Sequence, residues 1–174
     1  MKFRILVVIG FLSLLASTFA QDVNKKYMDP KLEKMVLIGY CDKGGLQEGD
    51  FGIYYEKQFE TYEPKNSVVK KINAITINGG IEIVCVFGDW CSDSKLQVPR
   101  FYKLLDELNF PLTNTKLIAV DRTKKAQSLD ISEYKILRVP TFIVYFNEQE
   151  IGRIVETPNK SLEKDLLKIL KSID

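Results

Sequence analysis

Histidine is absent from the chain. Its absence removes the Ser-His-Asp and Cys-His triads, imidazole-ligated zinc or haem iron, and the imidazole proton shuttle. Cysteine is scarce. Cys41, Cys85 and Cys91 are too few for a disulfide-rich scaffold, and their odd number leaves at least one thiol free or paired outside the chain. Charge of one sign is lacking as well: 25 Lys plus Arg stand against 23 Asp plus Glu, a formal net charge of +2. So small an excess excludes nucleic-acid binding driven by phosphate neutralisation. Internal repeats and low-complexity tracts are missing, and no apolar run reaches the roughly 18 residues of a bilayer span. What remains is a chain of 174 residues with 45% apolar and 28% charged side chains, the profile of a globular protein with its own core.

Lys2 and Arg4 precede the apolar residues 5–15, and Ala16-Ser17-Thr18-Phe19-Ala20 closes the segment. A basic head, a short hydrophobic stretch and a small-residue end predict a secretory signal peptide over residues 1–20. Removing those 20 of the 174 residues leaves 154, enough for one domain. With Lys2 and Arg4 gone, 23 basic residues balance 23 acidic ones. No cysteine stands directly after Ala20 to carry a lipid. The expectation is an exported protein, periplasmic or secreted, without a membrane anchor after cleavage.

Residues 21–30 read as a loose polar leader. Met35-Val36-Leu37-Ile38 predicts a short strand, and Gly44-Gly45 and Gly49-Asp50 break the chain beyond it. Phe51, Tyr55, Phe59 and Tyr62 fall on one helix face, and Asn66 is placed to cap a helix carrying Val68, Val69, Ile72 and Ile75. The β-branched run from Ile81 to Phe87 predicts a buried central strand. Gly88-Asp89-Trp90-Cys91 forms a turn into a helix reaching Leu108, with Pro99 inside it as a source of bending. A strand over 116–120, a helix over 126–134, paired strands over 141–146 and 150–155, and an amphipathic helix capped by Ser161 complete the pattern. The order β-α-β-α-β-β-α implies an α/β fold, with a mixed central sheet and helices on both faces.

Three landmarks within this pattern resemble the thioredoxin superfamily: Trp90-Cys91-Ser92-Asp93-Ser94, Pro99 eight residues after the cysteine, and Arg138-Val139-Pro140-Thr141 ahead of a hairpin. The resemblance takes residues 81–174 as a thioredoxin-like core. Residues 21–80 resemble the N-terminal extensions, packed on that core, of exported thioredoxin-like proteins of Bacteroidetes type. The resemblance implies a thioredoxin-like fold and thiol–disulfide exchange, with Cys91, Ser94, Trp90 and Pro140 as the catalytic set. It further implies that Pro140 is cis and faces Cys91, so that Val139 offers its backbone to an extended substrate peptide beside Trp90. Disulfide-containing or thiol proteins, or small thiols, are the partners it implies; no cofactor and no metal enter.

The chemistry agrees with that placement. A cysteine where a strand turns into a helix meets the positive end of the helix dipole and its unpaired N–H groups, a setting that suits the thiolate nucleophile of disulfide exchange. Two departures from the family pattern go together. Ser94 stands where the resolving cysteine is usual, so it can hydrogen-bond a thiolate but cannot displace a bound substrate. Cys85 stands where a buried Asp normally assists that second cysteine, and its place on an apolar strand makes packing its expected role. Cys41 reads first as a plain thiol at a turn; the sharper alternative makes it the resolving thiol, which would require its Cα within about 7 Å of that of Cys91. Asp93 is expected to favour the first helical turn. A redox-inactive binding module for extended or cysteine-containing peptides is the alternative. A peroxidase of the peroxiredoxin type ranks below both, because Gly88 occupies the position where it needs Thr or Ser.

Overall fold

A computed structural model of the chain describes residues 23–76 and 79–173. The segment expected to be a signal peptide lies outside the described residues.

Where a loose leader was expected, the chain forms a hairpin of β1 (Lys26–Asp29) and β2 (Lys34–Leu37). Asp29 organises its turn. The Oδ1 atom accepts the N–H groups of Lys31 at 2.9 Å and Leu32 at 2.8 Å, closing an Asx-type turn around Pro30. Gly39 then takes φ +79°, a left-handed conformation that glycine adopts without steric cost. The apolar run therefore divides, and β3 (Gly39–Cys41) leaves the hairpin for the main sheet.

Three helices follow: α1 (Lys43–Leu46), α2 (Gly49–Thr61) and α3 (Asn66–Thr76). The aromatic stripe on α2 buries Phe51 and Tyr55, with Tyr55 stacked on Phe59 at 5.5 Å. Asn66 lies inside α3 rather than capping it, because the carbonyl of Lys65 already receives the N–H groups of Val68 and Val69. After β4 (Ile81–Phe87) come α4 (Ser92–Glu107), β5 (Thr115–Ala119), β6 (Thr141–Phe146), β7 (Gln149–Val155) and α5 (Leu162–Leu170). Pro99 stands within α4, which runs on through it; having no N–H, it gives the Lys95 carbonyl no helical donor. Asn147 and Glu148, at φ +47° and +66°, make the two-residue turn between β6 and β7.

The main sheet has the order β3-β5-β4-β6-β7, with β4 parallel to β5 and every other neighbour antiparallel. Alternation along β4 divides the interior in two. Ile83, Cys85 and Phe87 face a cluster built with buried side chains of all five α-helices, whereas Val84 and Val86 face the opposite cluster. That second cluster is covered by Ala126, Ile131, Tyr134 and Val139 from an irregular segment.

The helix expected over 126–134 does not form. Gln127 is left-handed at φ +54°, Asp130 accepts the N–H of Ser132 at 2.9 Å, and only a single 3-10 turn (Ser132–Tyr134) appears. Among the described residues, then, the α-helices pack on one face of the sheet and a turn-rich strap covers the other. The fold is thioredoxin-like α/β, with β4 carrying the chain directly into the turn that holds Cys91.

Candidate active site

Phe87 ends β4 fully buried, in edge-to-face contact with Phe51 of α2 at 5.4 Å. The next four residues turn the chain into α4, and the Cys91 N–H closes that turn on the Gly88 carbonyl at 2.9 Å. Cys91 is the N-cap residue of α4, extended at φ −96° and ψ 127°. Its carbonyl accepts the N–H of Lys95 at 3.0 Å, so the side chain sits where the first N–H groups of the helix are free of intrahelical partners. The thiol is half-buried and donates to the Val139 carbonyl at 3.4 Å. The Val139–Pro140 bond is cis, and both residues are buried. The structure thus brings together Cys91, Trp90, Val139 and Pro140.

Ser94 differs from its expected role. It is fully buried, and its Oγ accepts the Gly88 N–H at 3.1 Å. The hydroxyl braces the base of the turn and is not bonded to the thiol.

Trp90 is held on two sides. Its Nε1 donates to the Val120 carbonyl at 2.8 Å, and the Arg122 guanidinium lies over the ring at 4.9 Å from its centroid. Gly88 makes room for that ring: a β-carbon at Gly88 would stand 2.6 Å from the indole. Asp89, 7% exposed, accepts the Leu37 N–H of β2 at 2.8 Å. Burial pushes its carboxyl above the ordinary carboxylate range, against the Leu37 N–H and the cation of Lys95, which lower it.

Cys41 does not join the site. It belongs to the helix-side cluster with Cys85, and the two residues flank Leu117 of β5 in register. Cys91 packs against the opposite cluster. The sheet therefore separates Cys41 from Cys91, and burial pushes the Cys41 thiol up to about 12. Resolution of a Cys91 adduct by Cys41 is incompatible with this packing. Cys85 is fully buried and its thiol is likewise raised by burial, as a packing residue would be. All three cysteines are free.

Asp29, Arg122 and the Leu37 N–H border the site without having been expected there. Asp29-Pro30 carried a turn signal, but nothing local tied that turn to Cys91. Among the described residues, no group of His, Cys, Asp or Glu is arranged to hold a metal ion, and no helix is long and apolar enough to cross a membrane.

The thioredoxin family model matches residues 62–170. Among solved structures, a protein of unknown function from Pseudomonas aeruginosa superposes with a TM-score of 0.50 at 14% identity, covering 71% of this chain and 82% of that one. Fasciola hepatica thioredoxin is 19% identical over 59% of this chain and 90% of its own, with a TM-score of 0.38. Mitochondrial thioredoxin 3 of Saccharomyces cerevisiae is 17% identical over 60% and 89%, with a TM-score of 0.36. A search of curated proteins returns no match.

Proposed function

Because the chain belongs to the thioredoxin family, we propose that it is a thiol–disulfide oxidoreductase working with one active-site cysteine, Cys91, after export. The observation that carries the reading is the half-buried Cys91 thiol at the start of α4, 3.4 Å from the Val139 carbonyl of the cis Val139–Pro140 pair. Export rests on the residues of the N-terminal segment, Lys2, Arg4 and the apolar stretch behind them.

The reaction follows from the residues in reach. The Cys91 thiolate attacks one sulfur of a substrate disulfide; the S–S bond breaks, a Cys91–substrate disulfide forms, and the second sulfur leaves as a thiolate that takes a proton from water. A bound peptide would lie along Val139, with Trp90 limiting approach from the other side. Ser94 supplies no thiol for the second exchange, and Cys41 lies beyond the sheet. An external thiol must therefore attack the mixed disulfide, taking over the substrate sulfur or releasing it reduced. Disulfide-containing proteins and small thiols are the partners this chemistry calls for.

Incubating the reduced protein with a disulfide-containing protein and resolving the mixture on non-reducing gels tests the reading. Mixed disulfides should accumulate, disappear with Cys91→Ser, and clear on addition of a small thiol. Ser94→Cys should clear them without added thiol if the new sulfur meets Cys91 with ordinary disulfide geometry. Should Cys91 form no adduct with any disulfide offered, the redox reading fails and a peptide-binding module takes its place.

A further inference from the structure

Arg122 stands at a junction that the thiol chemistry does not itself require. On one side its guanidinium lies over the ring of Trp90, the residue next to Cys91. On the other it grips the carboxylate of Asp29 in the N-terminal hairpin: Nε lies 2.9 Å from Oδ2 and 3.3 Å from Oδ1, and Nη2 lies 3.3 Å from Oδ1.

Both ends of this bridge are fixed. Asp29 is fully buried, and the same carboxylate also receives the Lys31 and Leu32 N–H groups. Burial would push that carboxyl up, but the Leu32 N–H, Arg122 and the Lys31 N–H overcome it and hold it below the ordinary range. The backbone under Arg122 is pinned by its neighbour: the Asp121 carboxylate accepts the Thr123 N–H at 2.8 Å and the Lys125 N–H at 3.0 Å. Trp90 is tethered by its own bond to Val120, two residues before Arg122. One bond at its edge and a cation across its face hold this ring in place next to Cys91.

We propose that Arg122 is a positioning residue for Cys91: it clamps Trp90 against the N-terminal hairpin and so sets how far the thiol is open to a disulfide. The proposal rests on the reading of Cys91 as the reactive thiol. It also assigns the hairpin a role, as the fixed wall from which access to the thiol is controlled.

The test uses the purified chain. Trp90 is its single tryptophan, so indole fluorescence reports on this clamp alone. Acrylamide quenching of Trp90 and iodoacetamide alkylation of Cys91, located by peptide mapping, are followed together across a pH series. Arg122→Ala strands the buried Asp29 charge, which by itself destabilises the hairpin. The deciding variant is therefore Asp29→Asn combined with Arg122→Ala, its folding checked by circular dichroism. Quenching and alkylation should both rise about threefold, the scale of a lost cation–π contact, with the pH midpoint of alkylation unmoved. Arg122→Lys, which keeps a cation over the ring, should return at least half of the change.

Unchanged quenching and alkylation in a folded double variant overturn the proposal, leaving Arg122 as a counter-charge to Asp29 only. Slower alkylation with a midpoint moved upward also overturns it, because Arg122 would then act as a charge on the thiolate. Alkylation needs no disulfide exchange. A wild-type protein that alkylates but forms no mixed disulfide sinks the redox reading, whereas mixed disulfides with unaltered variants sink the clamp alone.

Discussion

Gly88 is where the site depends most directly on a single residue. The position needs no unusual backbone angle; it needs the absence of a side chain. A β-carbon there would lie 2.6 Å from Trp90 Cε2 and 2.9 Å from Cζ2 and Nε1, inside any acceptable contact. The ring cannot yield, because moving it gives up both the Val120 hydrogen bond and the Arg122 contact. Gly88→Ala should therefore cost about 1–3 kcal/mol, the usual penalty of overpacking, and should shift the emission of the single tryptophan. Adding Trp90→Ala removes the obstacle, so the double variant should lose less stability than the two single effects summed. Urea unfolding followed by circular dichroism measures both. A Gly88→Ala protein with the wild-type midpoint and emission would mean that the ring is not held as described. The same residue illustrates what local sequence conveys. Gly88-Asp89-Trp90-Cys91 is legible as a turn, yet the reason for its glycine lies in the Val120 carbonyl and the Arg122 guanidinium, just beyond the end of β5.

At the scale of elements, the hairpin is coupled to the active-site turn through Asp89 and Leu37, and this contact has a pH dependence with a definite sign. Burial raises the Asp89 carboxyl in the folded protein, so the native state binds this proton more tightly than the unfolded chain does. Stability from this group is full below the ordinary carboxylate value of about 4 and falls as pH rises through the folded value. Lys95 and Lys26 moderate the cost of the charged form and Asp50 adds to it. In Asp89→Asn the Oδ1 atom still accepts the Leu37 N–H, and no charge has to be buried. The variant should be more stable than wild type near pH 7, and the gap should close as pH falls below about 4. The opposite contribution of Asp29, whose carboxyl is lowered, is common to both proteins and cancels. Thermal unfolding of the pair from pH 3 to pH 8 checks it; a pH-independent gap, or a less stable variant at neutral pH, contradicts the account. Neither coupling was legible beforehand, since Leu37 and Asp89 lie 52 residues apart and Asp29 and Arg122 lie 93 apart. The false helix over 126–134 has a related cause. Ala126, Ile131 and Tyr134 are apolar because the sheet's second face must be covered, and a strap of turns meets that demand as well as a helix. Asp130 and the left-handed Gln127 decide for the strap.

For the whole molecule, the sheet acts as a partition between thiols. Much of this was readable in advance: alternation along β4 placed Cys85 among buried apolar residues, and the strand-to-helix turn placed Cys91 at its edge. What could not be read was the side on which Cys41 would fall, because that depended on Gly39 ending the hairpin and on β3 pairing antiparallel with β5. The outcome orders the reactivity of the three cysteines. Cys91 is half-buried at the start of α4 and should react with an alkylating probe in the native protein. Cys41 lies on a three-residue strand at the edge of the sheet, with its thiol raised to about 12 by burial. It should become reactive when that edge opens, in moderate denaturant and before the global transition. Cys85 is fully enclosed on a strand paired on both sides, so only global unfolding exposes it. Its labelling should be slower than that of Cys91 by at least about a thousandfold in water, tracking the small population of fully unfolded chains. Mass spectrometry of the native protein should find one label, rising to three in denaturant, in the order Cys91, Cys41, Cys85. Cys41→Ser should accordingly leave the lifetime of a Cys91 mixed disulfide unchanged. If Cys41 instead labels together with Cys91, or if its removal lengthens that lifetime, the sheet is not the barrier described, and an exit for the adduct within the chain would have to be restored.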